Sequence, residues 1–187
     1  MDERIVNTQP RIIGLMGYGG AGKDSAAHII VKYGGYEKRA FADKVREFAV
    51  AIDAHLPEIQ ETYSQVVNRL GYDQAKREHK CVREYLVRIG HSARTVIYKE
   101  IWLDAVLPPT YNDETRRIVV SDVRYPNEAD RVRALGGAVW RIERPNCDAV
   151  HETERQSIAA AKYDLVLLND GTLEDLERKV NNLLLGK

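Results

Sequence analysis

The feature that most limits what this chain can fold into is a nine-residue turn, Gly17-Tyr18-Gly19-Gly20-Ala21-Gly22-Lys23-Asp24-Ser25. Before it, residues 11–16 (RIIGLM) form a short continuous apolar run that reads as a buried strand of a parallel sheet. After it, residues 23–33 read as a helix, stopped by Gly34-Gly35. A strand, a turn with the spacing GxxxxGK and then a helix is the arrangement that cradles phosphate groups. Glycines let the backbone curl until successive N–H groups point at anionic oxygens. The start of the helix adds the positive end of its dipole, and Lys23 adds a full charge. Gly17, Gly19, Gly20, Ala21, Gly22, Lys23, Asp24 and Ser25 are therefore candidate ligands of a nucleotide's phosphates. The simpler alternative, a glycine-rich connection with no ligand, has the strand–turn–helix context against it.

The alternation of strand and helix continues downstream. YEKRAFA (36–42) reads as a second strand, and Asp43 to about Leu56 as a helix with Val45, Phe48, Ala49 and Ile52 on one face. Residues 57–107 read as helical and amphipathic, with Leu86, Ile89, Val96, Ile97 and Ile101 available to pack. Within them the charged run 72–84 is expected to be exposed or mobile. PPTYNDETRR (108–117) reads as a loop. IVVSD (118–122), AVWRI (138–142) and DLVLL (164–168) read as three more strands. Pro126 suits a helix start that Gly136-Gly137 ends, and Thr172 can cap a last helix with the stripe Leu173, Leu176, Val180, Leu183 and Leu184. Five parallel strands alternating with helices predict an α/β three-layer sandwich. The expected organisation is a single domain over 1–187, with a core at about 10–56 and 117–187. A helical lobe at about 43–110 is inserted in it, and a lid is expected at about 144–155.

Charge narrows the class of partner. Lys plus Arg come to 28 and Asp plus Glu to 28, so the formal net charge is zero. A balanced chain argues against a nucleic-acid polymer as partner but leaves room for a local basic pocket. With no run of 18 apolar residues, no membrane span is expected. MDERIVNTQP does not resemble a signal peptide, and Cys81 and Cys147 lack metal-type spacing. A reduced, cytoplasmic protein is the expectation.

Two carboxylates and an arginine stand where phosphate chemistry needs them. Asp24 occupies the position at which Ser or Thr normally ligates Mg²⁺, and a carboxylate oxygen can do the same, directly or through water. Ser25 is offset by about 100° around the helix and is expected to hydrogen-bond a phosphate. The alternative for Asp24 is a plain helix-start residue. Asp122 ends the apolar strand 118–122, where a polar tip faces a nucleotide crevice, and is a candidate for holding Mg²⁺ through water. Its alternative is a turn residue. Arg124, two residues on, could reach a phosphate.

Four segments resemble the deoxynucleoside monophosphate kinases of bacteriophages, a family of the P-loop nucleoside monophosphate kinase fold. They are GLMGYGGAGKDSAA (14–27), RAFADKVREFA (39–49), REYLVRIGHSARTVIYKEIW (83–102) and VVSDVRYPNEADRVRALGGAVWRIERP (119–145). HETE (151–154) and NDGTLEDL (169–176) continue the likeness. The resemblance implies transfer of the ATP γ-phosphate to a deoxynucleoside monophosphate, with Mg²⁺, in a homodimer. It implies that Asp43 and Arg46 enter the monophosphate lobe, that Arg94 meets the acceptor phosphate, and that Arg88 and Trp102 also belong to the substrate site. It implies further that Lys23, Asp122 and Arg124 are catalytic, that Arg144 and His151-Glu152 lie in a lid, and that Asn169 and Gly171 pack against adenine. One position departs from the family: Val87 stands where a glutamine is common, which leaves base selectivity open.

The residue types suit the reaction. A monophosphate is already anionic, so positioning and charge neutralisation matter more than a base. Arginine's planar fork matches phosphate oxygens two at a time. A closing lid would keep water from the reacting phosphates. Dephospho-coenzyme A kinase shares the final strand and turn and stays as an alternative, as does a catalytically silent nucleotide-binding module. A regulatory GTPase would need NKxD, which this sequence lacks. Packing is the simpler role for Trp102 and Trp140, and His28 needs no chemical role.

Overall fold

The structure, a computed structural model, describes residues 9–113, 115–148 and 152–187. His151 and two other residues of the expected lid, Ala149 and Val150, lie outside the described residues. The chain divides into two compact units, one running up to Ala40 and resuming at Leu107, the other Phe41–Val106. Among the described residues no helix is long and apolar enough to cross a membrane.

The first unit is an α/β sandwich. Its strands are β1 (Ile12–Met16), β2 (Glu37–Arg39), β5 (Ile118–Val123), β6 (Ala138–Glu143) and β7 (Leu165–Leu168). They form one parallel sheet in the order β2-β5-β1-β6-β7. All five residues of β1 are buried, as expected of a central parallel strand flanked on both faces. On one face α1 (Lys23–Gly34) and α9 (Leu173–Leu184) pack over Ile13, Leu15, Val119, Trp140, Ile142 and Leu167. On the other lies α7 (Pro126–Ala134), so close that a Cβ on Gly14 would press on Val132. The helix α8 (Glu152–Ala160) precedes β7.

Three features differ from the sequence reading. β2 holds only residues 37–39, because Phe41 and Ala42 already begin α2 (Phe41–Ile52). In α9, Leu176, Val180 and Leu184 are buried but Leu173, at the first helical position, is exposed. In β5 the pairing with β1 slips: Gly14 pairs Val120 and Met16 pairs Val123, so Ser121 and Asp122 together face one residue. This bulge inverts the inside–outside alternation beyond it. Val119 lies on the α1 face, yet Val123, an even number of residues on, lies with Gly14 on the α7 face.

The second unit is helical with a small ribbon. After α2 come β3 (His55–Leu56) and β4 (Glu61–Thr62), paired antiparallel, then α3 (Tyr63–Leu70), α4 (Tyr72–Glu78) and α5 (Lys80–Ser92). A π-helical turn (Ala93–Ile97) and α6 (Ile101–Val106) complete it. Its core is Ala49, Leu56, Tyr63, Val66, Ala75, Val82, Ile89, Ala93 and Trp102. Burial in this core pushes the Tyr63 hydroxyl up to about 12. The charged run 72–84 is ordered helix, anchored by the buried Ala75 and Val82. Phe48, Ile52, Val96 and Ile97, expected to pack, are instead exposed.

Candidate functional site

The glycine loop takes a shape that only glycine allows at two points. Gly17 has φ 142° and Gly22 has φ 102°, both outside the range of ordinary side chains. A Cβ on Gly17 would collide with the Ile142 carbonyl oxygen, and one on Gly22 with the Asn169 amide nitrogen. The loop is thus pressed between β6 and the end of β7. Gly22 is also the residue before α1, so the N–H groups of the first turn of α1 face the loop's interior end. Lys23 folds back and donates to the carbonyl oxygens of Gly17 and Tyr18, at 2.7 and 2.9 Å.

Asn169 is one of the few buried polar residues, at 7% exposure. Its side-chain amide donates to the Ala21 carbonyl at 2.9 Å, and its own backbone N–H donates to Glu143 at 2.7 Å. It therefore braces the loop from below. Gly171 lies in the turn that follows, ahead of Thr172. Thr172 caps α9, accepting from the Asp175 N–H while the Asp175 carboxylate accepts from the Thr172 N–H.

Asp24 stands in the first turn of α1 with its side chain 77% exposed. Its carboxylate takes a hydrogen bond from Lys38 of β2 at 2.7 Å. Burial tends to raise the Asp24 pKa, but the Lys38 hydrogen bond and the charges of Lys38, Lys23 and His28 outweigh it, and the carboxyl sits below its ordinary value. Asp122 is half-buried within the β5 bulge. Arg124 is exposed just beyond the strand. Its backbone N–H and that of Tyr125 both donate to the Glu128 carboxylate, at 2.8 and 3.1 Å. Glu128 is 4% exposed, a buried acid used to fix the chain where Arg124 leaves the sheet. Sequence reading passed over it, although Pro126 followed two residues later by Glu128 is a helix-start signature.

Two hollows flank the loop. One of about 250 Å³ lies against Gly17, Tyr18 and Ala21 and includes Arg141, Arg144 and Cys147. The other, about 280 Å³, runs between α1 and α9 along Ser25, His28, Ile29, Lys32, Leu173 and Glu177. The second begins at the very residue that follows the phosphate-loop lysine and aspartate.

The remaining candidates belong to the second unit. Arg46 donates to Asp43 at 2.5 Å, one helical turn away, and its guanidinium lies over the Tyr72 ring, 4.3 Å from the centroid. Arg94 is half-buried in the π-helical turn, a rare element that often marks functional sites. Arg88 is exposed on α5. Trp102, a candidate substrate residue, packs inside the helical unit. It is 5% exposed, its indole N–H donates to the Gly90 carbonyl at 3.0 Å, and its ring meets Phe48 edge-on at 5.8 Å. It is core, as is Trp140 at the other unit's centre.

Comparison with known proteins points to a family. Residues 74–180 match the model of the family described as deoxynucleotide monophosphate kinase. The chain is 27% identical over 190 residues to a protein of Acanthamoeba polyphaga mimivirus, provisionally described as a deoxynucleotide monophosphate kinase, covering 90% of this chain and 93% of that one. It is 38% identical over 68 residues to the deoxynucleotide monophosphate kinase of Enterobacteria phage T4, covering 35% of this chain and 28% of that one. Among solved structures it is similar to the shikimate kinase of Aquifex aeolicus, at 12% identity and a TM-score of 0.46, covering 94% and 96% of the two chains.

Proposed function

Because the chain belongs to the deoxynucleotide monophosphate kinase family and is therefore a phosphotransferase, we propose that it moves the γ-phosphate of ATP to a deoxynucleoside 5′-monophosphate. The products of that reaction are ADP and the deoxynucleoside diphosphate. The observation that carries this reading is the loop 17–25, shaped by two glycines that admit no side chain and closed by a lysine turned inward. In the reading, Lys23 leaves the Gly17 and Tyr18 carbonyls for the β- and γ-phosphates, which the loop N–H groups and the start of α1 also hold. Ser25 hydrogen-bonds a phosphate. The groove beyond Ser25 takes the nucleoside end, with Ile29 and Leu173 offering apolar surface to a base. Asn169 acts by bracing the loop, and the turn at Gly171 borders that groove's Leu173 end. Arg144, beside the loop hollow, is suited to covering bound phosphates.

The residues fit a magnesium ion. Asp24 and Asp122 offer carboxylate oxygens, the hard donors Mg²⁺ prefers. A protein that supplies one or two oxygens and leaves the rest to phosphates and water is the usual host for this ion. When bound, the cation neutralises charge on the phosphates during transfer. The chain's own part is electrostatic and positional. Lys23 and Arg124 stabilise the transferring group, while Asp43, Arg46, Arg88 and Arg94 hold the acceptor. Glu128 keeps Arg124 in place. The reading further includes a homodimer at work in the cytoplasm of an infected host cell.

The test is ADP release over a panel of deoxynucleoside and ribonucleoside monophosphates, with dephospho-coenzyme A included. Turnover with at least one deoxynucleotide, lost in Lys23→Ala, is the expected result. Turnover with dephospho-coenzyme A alone, or with none of them, overturns it.

A further inference from the structure

Two lysines serve the loop, and only one of them belongs to the glycine motif. Lys23 is turned onto the Gly17 and Tyr18 carbonyls. The carboxylate of Asp24 is held instead by Lys38, from a different element, at 2.7 Å. The fold explains the reach. Lys38 pairs in register with Val119 of β5, and Val119 packs in the cluster formed with Ala26, Ala27 and Ile30 of α1. Residues in register share a face of a sheet, so the edge strand delivers the Lys38 side chain to the α1 side, level with that helix's first turn. The local chemistry gives the pair a purpose. A carboxylate one residue after the loop lysine puts negative charge where a triphosphate must sit, and Lys38 offsets it.

We propose that Lys38 is a positioning residue that competes with the divalent cation for the Asp24 carboxylate, so that it sets how much metal the loaded site requires. This rests on the reading of Asp24 as a metal-binding residue. In the absence of metal, Lys38 keeps Asp24 neutralised and the loop ready for anionic phosphates. A cation takes the carboxylate only by displacing the ammonium. Removing Lys38 therefore makes the metal bind more tightly, a gain that structural damage does not produce.

The probe is Mn²⁺, titrated into protein saturated with β,γ-imido-ATP and followed by the electron paramagnetic resonance signal of the free ion. Wild type, Lys38→Met, Lys38→Arg, Asp24→Asn and the Asp24→Asn/Lys38→Met double variant are compared. The expected midpoint falls about two- to five-fold in Lys38→Met, the scale of an exposed ion pair. It is unchanged in Lys38→Arg. Lys38→Met has no effect once Asp24 is already Asn, because the coupling runs through that carboxylate. A midpoint in Lys38→Met that is unchanged or higher overturns the proposal, as does an equal fall in the Asp24→Asn background. The titration contains no acceptor, so its outcome is separate from whether any monophosphate is phosphorylated.

Discussion

The two units hold their charged side chains in opposite ways. In the α/β unit the backbone comes first: Gly17 and Gly22 fit where no side chain can, Asn169 braces Ala21 from a buried position, and Glu128 pins the N–H groups of Arg124 and Tyr125. In the helical unit Arg46 is steered by side chains, by Asp43 and the Tyr72 ring, and Arg88 stands exposed on α5. Rigid backbone suits phosphates that are the same for every nucleotide. Adjustable side chains on a small core suit an acceptor whose base can vary. The contrast says that damage to the first unit should remove phosphate binding outright, whereas changes in the second should grade the acceptor's affinity.

The largest effect separates core from site. Trp102→Ala should cost about 3–5 kcal/mol by calorimetry or denaturant unfolding, as buried aromatic truncations do. A variant of normal stability with a raised acceptor KM would instead return Trp102 to the substrate site. Gly17→Ala comes next, with backbone strain of about 1–3 kcal/mol and lost ATP binding by isothermal titration. Normal nucleotide affinity in that variant would break the contrast from the first unit's side.

Arg46→Ala should lower kcat/KM for the acceptor about 10- to 100-fold, the scale of a hydrogen bond to a charged group. The KM for ATP should stay within about two-fold, since the grading concerns the acceptor alone. A parallel loss in both would merge the two kinds of site. The smallest effect tests a part with no chemistry. Thr172→Ala should cost about 1 kcal/mol of stability through the lost cap of α9, with kcat unchanged. The Asp175 carboxyl is held below its ordinary value by the backbone N–H of Thr172 first, then by the Thr172 hydroxyl and Arg178. Its contribution is present at neutral pH and is lost as the pH falls from its ordinary value of 3.8 through the lower folded value. Thr172→Ala should therefore flatten the acid limb of the stability–pH curve.

The same contrast governs what the sequence revealed. β1, the glycine loop, β5, β6, β7 and α9 all follow from apolar runs, glycine pairs and a capping threonine. Those signals are local, and the parallel sheet amplifies them. The β3–β4 ribbon was invisible because its connection contains no glycine: Gln60 takes the left-handed backbone at φ 54° in its place. The π-helical turn reads as ordinary helix, and the exposure of Val96, at 81%, contradicts any stripe drawn through it. The shape of the loop was legible from its glycines and the flanking strand and helix. The supports Asn169 and Lys38 were not, because their partners are set by how the strands are placed and paired, and the β5 bulge leaves no mark in IVVSDV; Glu128, whose partners lie three and four residues back, was open to a helix-start reading.

The proposed reaction joins the glycine loop and its Lys23 to a deoxynucleotide acceptor. The most direct measurement is ADP release by the wild type and Lys23→Ala with each of the four deoxynucleoside monophosphates. Turnover with at least one of them, and a fall of about 10²- to 10³-fold in kcat for Lys23→Ala, the scale of losing one preorganised charge contact, is the expected result. Turnover unaffected by Lys23→Ala, or no turnover with any deoxynucleotide, would contradict it.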